Sequence, residues 1–371
     1  MATRIYKTPF AATGDKEVLA TADQPDGKVS LQTGWTPDYE LPNDHANYRP
    51  VGRAETNGIL SEITEGLGEM QLRGFALWQP VDGGWPKGAH VMVGDTVYRS
   101  NVDNNTADPA AGAPQWASTA FAGVIGTASN VRCSVAAASA SVTFTADEIV
   151  VGTSLGGPSY RLANFNKTLN ISTAGAGGMD TGAPPTTGWV AVYAIYNPTT
   201  GASSIVARNA TAAAQPTVYG GINMPAGYTA SALISVIPTN ASGQLSVLFQ
   251  QDRKVSFALK TVLTSTTPNG DPGSPLGISS AVPLNAKTVD MGINLQQSAL
   301  SGNTGEGCAI SSSASLIKQQ FVQVAGNGVT QVVGWCGDIP IITPQTVWYS
   351  WRKFGSTTDD SLNIYVTAYT F

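Results

Sequence analysis

From Gly123 to Phe371 the chain is a succession of short runs rich in β-branched and aromatic residues, separated by clusters of Gly, Pro and Asn. Val142 to Val151, Trp189 to Tyr196, Ala232 to Ile237 and Leu245 to Phe249 have the length and composition of strands, and no helical periodicity lies between them. Such a series buries its apolar faces most readily as a β-sandwich or jelly roll. No period of about 20 to 50 residues recurs, which speaks against a propeller or a solenoid.

Only 12% of the residues are charged, while there are 40 glycines and 22 prolines, so Ser, Thr, Asn and Gln must carry much of the surface. A hydrophobic content of 42% leaves enough apolar surface to offset the entropy of ordering, and 371 residues suffice for two or three domains. The net charge of -5 and the absence of a Lys/Arg cluster exclude nucleic acid as a main partner. Cys133, Cys308 and Cys336 form no CxxC pair, and His45 and His90 are the only histidines, so neither a metal nor a cofactor is expected. A Cys308 to Cys336 disulfide and free buried thiols both remain open.

Arg4, Lys7, Asp15, Lys16 and Glu17 interrupt the first 20 residues, leaving no apolar core of a secretory signal. Trp189 to Tyr196, the longest apolar run, is far too short for a transmembrane helix. The expectation is synthesis in the cytoplasm without membrane insertion.

Residues 1–52 are polar and punctuated by Pro9, Pro25, Pro37, Pro42 and Pro50, as in an extended arm or a small β domain. Arg53 to Arg73 then carries the one helical pattern: Ile59, Ile63, Leu67 and Met70 recur at steps of four, four and three. A lone helix of this length is marginal unless its stripe is covered, either by a coiled-coil partner or by its own domain. Gly58, Gly66 and Gly68 weaken its propensity.

Phe75 to Trp116 forms an aromatic unit, with Trp78, Trp85, Gly94-Asp95-Thr96-Val97-Tyr98 and a closing Trp116. Near the C-terminus Trp335, Trp348, Tyr349, Trp351 and Phe354 concentrate beside Asp338, Arg352 and Lys353. Flat rings with polar neighbours suit sugar rings or a partner's loop, and alternation equally assigns some of them to a core. Thr264 to Pro275 reads as a linker ahead of this last unit. In the final run, Leu362, Ile364, Val366 and Ala368 share one face, and Tyr365, Tyr369 and Phe371 the other, so both faces need cover from a second sheet or a second subunit.

Catalytic constellations are not expected. Gly152-Thr153-Ser154-Leu155-Gly156 spells GxSxG, but Gly157-Pro158 forbids the helix that must follow, and both histidines lie upstream; a hairpin turn is expected there. The carboxylates of Asp147-Glu148 and Asp359-Asp360 are adjacent in sequence and would point to opposite faces of a strand.

Val218-Tyr219-Gly220-Gly221-Ile222-Asn223-Met224-Pro225-Ala226-Gly227-Tyr228, followed by Gln250-Gln251-Asp252-Arg253, resembles a segment of tail fibres of tailed bacteriophages. Thr145 to Val151, Leu169 to Thr173, Gly178-Met179-Asp180-Thr181-Gly182 and Tyr193 to Pro198 extend that resemblance over about a third of the chain. Lys7 to Ala11, Asn57-Gly58 and Gly68-Glu69-Met70-Gln71 are similar to the tail-proximal part of such fibres, and the Trp78 to Trp116 unit resembles small chitin-binding-like carbohydrate modules.

The resemblance implies a virion protein at the tail tip, synthesised in the host cytoplasm: a homotrimer that meets other tail-tip proteins through its N-terminal part. Its far end would meet a pilus, an outer-membrane protein or a polysaccharide on a Gram-negative host. The expected fold is mainly β: a tail-attachment arm (1–52), a trimerising coiled-coil helix (53–74), a small β module (75–120), and two β-sandwich or jelly-roll domains (121–258 and 259–371). Ile59, Ile63, Leu67 and Met70 form the expected trimer seam; Trp78, Trp85, Tyr98 and Trp116 are carbohydrate candidates; Trp335, Asp338, Trp348, Tyr349, Trp351 and Arg352 are receptor candidates. The alternatives are a tailspike-like polysaccharide-degrading enzyme and a purely structural baseplate component.

Overall fold

A computed structural model describes residues 4–111, 113, 115–119, 123–270, 273–299, 304–326, 328–355 and 357–371. The chain is mainly β and divides into two compact units, Met1–Phe121 and Ala122–Phe371.

In the first unit the helix α1 (Arg53–Arg73) has the bounds that its sequence pattern predicts. Its ends explain why: Glu55 Oε2 accepts from the backbone N–H of Gly52 at 3.2 Å, and Gly74 turns left-handed and donates to Met70 O. The arm runs antiparallel along it. Glu17 N donates to Ala54 O, Asn57 Nδ2 to Asp15 O, Lys16 Nζ to Ser61 Oγ, Phe10 N to Thr64 Oγ1, and Tyr6 N to Gln71 Oε1. The helix face under this strap is Gly58, Ser61, Thr64 and Gly68, all buried. Any Cβ at Gly58 or Gly68 would collide with the carbonyl oxygen of Glu17 or Tyr6, so these glycines admit the arm. Beyond the helix lies a four-stranded sheet, β1 (Ala76–Leu77), β2 (His90–Val93), β3 (Thr96–Ser100) and β4 (Trp116–Ser118), paired in that order.

The second unit begins with β5 (Ala128–Ser129), β6 (Arg132–Val135), β7 (Ser141–Gly152) and β8 (Ser159–Asn170). It continues with β9 (Trp189–Asn197), β10 (Ala202–Asn209), β11 (Ala230–Pro238), β12 (Leu248–Gln251) and β13 (Lys254–Ser265). Then come β14 (Ser274–Gly277), β15 (Thr288–Ala299), β16 (Gly305–Ser311), β17 (Gln320–Ala325), β18 (Gly328–Pro340), β19 (Thr346–Phe354) and β20 (Thr357–Thr370). A long sheet runs β10-β9-β11-β7-β6-β12-β13-β20-β15-β18, with β5 and β8 attached to β7. A shorter sheet runs β14-β19-β16-β17. The GxSxG spelling is the turn of the β7–β8 hairpin, where Gly152 pairs with Ser159.

β16 and β19 contribute Cys308, Ile310, Val347 and Trp351 to a sandwich core shared with Ile293, Leu295, Leu362, Ile364 and Val366 of the long sheet. The same core continues to Val131 and Phe144, so residues 121–258 and 259–371 are not separate bodies here. The boundary expected at 258 falls inside β13, which pairs with β12 on one side and β20 on the other. Nor is the stretch after β13 a free linker: Asn269 donates to Tyr349 O and accepts from Trp351 N at 2.7 Å, fastening it to β19. A bulge between Val366 and Ala368 breaks the alternation expected for β20, so that Tyr369 and Phe371 are buried while Tyr365 is only half-buried. Tyr369 is 1% exposed, donates its hydroxyl to Val236 O and meets Trp189 edge to face.

Gln250, fully buried, ties β12 to β11 and to the turn after β12. Its Nε2 donates to Ile234 O and Asp252 O, and its Oε1 accepts from Ser235 Oγ at 2.5 Å. Gln250→Ala orphans these groups, at about 1–3 kcal/mol each, and is expected to lower the urea midpoint without changing the fold; an unchanged midpoint contradicts this role.

All three cysteines are free and buried. Burial pushes the thiol pKa of Cys133 up to about 12 and of Cys336 up to about 11, and raises that of Cys308 as well. A raised thiol pKa keeps the neutral form at pH 8. Ellman titration at that pH is expected to find no fast thiol in the native protein and three after denaturation; two missing after denaturation would reveal a disulfide.

Candidate functional site

The fibre-like segments meet at one place. Tyr219 donates its hydroxyl to Asp180 Oδ2 at 2.7 Å, its N–H goes to Ser231 Oγ, and its ring packs edge to face on Tyr193. Arg208 lies over the same ring, 5.6 Å from its centroid, and 3.8 Å from Asp180. Tyr193 in turn donates to Pro216 O at 2.9 Å. Burial, with the hydrogen bond to Asp180 next, pushes the Tyr219 phenol up to about 12. The phenol therefore stays protonated at neutral pH, as a donor that pins the loop before β11. Arg253 donates to Gly126 O and lies 5.0 Å from the Phe371 ring centroid; burial lowers its pKa. These residues brace the fold.

The four carbohydrate candidates divide differently. Trp116 is 6% exposed and donates its indole N–H to Ala107 O; Trp85 donates to Gln79 O. Trp78, Trp85 and Tyr98 are half-buried, and the Trp78 Nε1 is buried without a partner among the described residues. Trp116 therefore closes the core of the small sheet.

The six receptor candidates do not converge either. Trp351 is fully buried and donates to Glu306 Oε2 at 3.1 Å, and Tyr349 lies on the same inward face, its phenol pKa raised by burial. Trp348 and Arg352 fall on the outward face of the short sheet. There Arg352, with Phe321, Gln323 and Phe354, lines a trough of about 190 Å³ over Gly307. Trp335 and Asp338 lie on β18 in the long sheet. Asp338 is left-handed, with φ 52°, and its N–H donates to Asp290 Oδ1 at 2.9 Å, so it shapes a bend.

Trp335 is 63% exposed. On the adjacent strand Gly292 is its cross-strand partner, and beyond Gly292 stands Tyr365 of β20. One step along the strands the row reads Thr264, Asn363, Asn294 and Val333; the next is Ser361, Gln296 and Gln331. Thr264 Oγ1 bonds Asn363 Oδ1 at 2.9 Å, and Gln331 Nε2 bonds Asn294 Oδ1 at 2.8 Å. Sequence reasoning missed Tyr365, Asn294 and Asn363, although Tyr365 alternates against the buried Leu362, Ile364 and Val366.

A second concavity, about 420 Å³, is lined by Trp189, Val247, Phe257, Leu259 and Lys260; the Lys260 amine donates to Ser280 O, and burial lowers its pKa. Among the described residues, no three His, Cys, Asp or Glu side chains gather where they could hold a metal ion. No described helix is long and apolar enough to cross a membrane.

No protein-family model matches the chain, and no curated protein matches it. Among solved structures, a chain of the T13 viral particle of IBDV, an icosahedral virus, is 10% identical, with a TM-score of 0.15 over 66% of this chain and 70% of that one. A likeness that low carries no argument about fold or function.

Proposed function

We propose that this chain is a tail-fibre protein of a tailed bacteriophage that attaches the virion to a receptor on a Gram-negative cell surface. The observation that carries the reading is the division of α1 into two faces. Its small-residue face is taken by the arm, and Leu60, Ile63, Leu67 and Met70, at steps of three, four and three, are left 38% to 60% exposed. A heptad row bare on a lone helix is a seam awaiting copies of itself. Ile59, half-buried, belongs to its margin.

In this reading three copies associate through that seam, the arm-bearing unit mounts on the tail tip, and the second unit faces the host. The segments similar to phage fibres support the same assignment, and they brace the fold while recognition falls to open surfaces.

Antibodies against the chain are expected to label the tail tip of the encoding phage in immunogold electron microscopy; label confined to the capsid would contradict the assignment. Light scattering of the purified protein is expected to give about three times 38.4 kDa, and Ile63→Gln with Leu67→Gln to reduce this to the monomer with the fold of each unit retained. A monomeric wild-type protein would remove the trimer from the reading.

A further inference from the structure

We propose that the open face of β13-β20-β15-β18 binds an uncharged glycan, with the Trp335 indole as its stacking surface. This deepens the attachment reading, and rests on it only for the source of the glycan, a bacterial surface polysaccharide.

The ring is held by the strand beneath it. A Cβ at Gly292 would lie 2.8 Å from Cζ3, 3.2 Å from Cε3 and 3.5 Å from Cη2 of Trp335, so the six-membered ring covers the bare backbone there. One side of the indole rests on the sheet, and its 63% exposure leaves the other to solvent. Tyr365 flanks Gly292 from the opposite strand. Neighbouring strands are about 4.8 Å apart, so the backbones that carry Trp335 and Tyr365 stand roughly 10 Å apart, and the indole leans over Gly292 between them.

Around the rings the face carries amides and hydroxyls without a formal charge: Thr264, Asn294, Gln296, Gln331, Ser361 and Asn363. The Asn294–Gln331 and Asn363–Thr264 bonds orient these amides, and each amide has further donors and acceptors for sugar hydroxyls. Beyond the rows Asp290 and Lys254 neutralise each other at 2.5 Å.

The chemistry separates the possible occupants. An anionic polymer would be met by Lys or Arg, which these rows lack. A second copy would call for the continuous apolar core of a stable interface, whereas here Trp335 and Val333 stand among amides. A neutral sugar, with an apolar ring face and a rim of hydroxyls, matches one bare indole framed by hydrogen-bonding groups.

The test is a microarray of neutral and acidic bacterial oligosaccharides, followed by titration calorimetry on the hits. Wild-type protein is expected to bind neutral glycans with little change between 0.1 M and 0.5 M NaCl. Trp335→Ala should weaken binding at least tenfold at an unchanged melting temperature. Gly292→Ala, which lifts the ring without removing it, should weaken it as well; if that variant fails to fold, Tyr365→Ala takes its place. Binding confined to acidic glycans and abolished by salt, binding indifferent to Trp335→Ala, or dimerisation through this face would each overturn the proposal. A protein that coats host cells and yet binds no glycan overturns the glycan while leaving the attachment reading in place.

Discussion

The larger unit depends on β20, the last strand of the chain. It pairs with β13 on one side and β15 on the other, joining the part of the sheet built around residues 123–256 to the part built around residues 288–340. Leu362, Ile364 and Val366 face the sandwich core, while Tyr369 reaches back to Trp189 and Val236. Leu362, Ile364, Val366 and Tyr369 of β20, and Phe371 just after it, are all buried within this one chain. The C-terminal segment is thus built into the centre of the unit, and β12, held by Gln250, and β13 carry the same core across the boundary that the sequence suggested.

What was legible came from strong periodicities and strong stops. The helix was legible because Ile59, Ile63, Leu67 and Met70 recur at helical steps; in the structure Glu55 and Gly74 close its two ends. The strand content showed because β-branched runs lay between turn residues. Gly58 and Gly68 lower the helix's own propensity and yet serve the fold, because propensity considers a helix alone. In the folded unit Gly58 and Gly68, with Ser61 and Thr64, form a second face that only the antiparallel arm explains.

The candidate site was half legible for a related reason. Alternation separates two faces, but it cannot say which face meets the core when bulges change the register. β15 slips between Val289 and Met291 against β18, and β13 slips twice against β20. Trp335 and Trp351, 16 positions apart in one aromatic cluster, also fall on different sheets, β18 in the long one and β19 in the short one, and end exposed and buried respectively. The platform at Gly292 was invisible for another reason: it is assembled across strands far apart in sequence. The fibre-like segments drew attention by their spelling, and their side chains turn out to tie Asp180, Tyr193, Arg208 and Tyr219 together.

In the proposed reading bracing and recognition are separate: α1 has one face strapped and one bare, Asp180, Tyr193 and Tyr219 are tied together inside the β unit, and its exposed Trp335 sits on an uncharged sheet face. Interference with adsorption bears on attachment itself. Host cells are first saturated with the purified protein and then mixed with the phage that encodes it. Adsorption is expected to fall with increasing protein and to recover when the protein is washed away. Undiminished adsorption at saturating protein would contradict attachment.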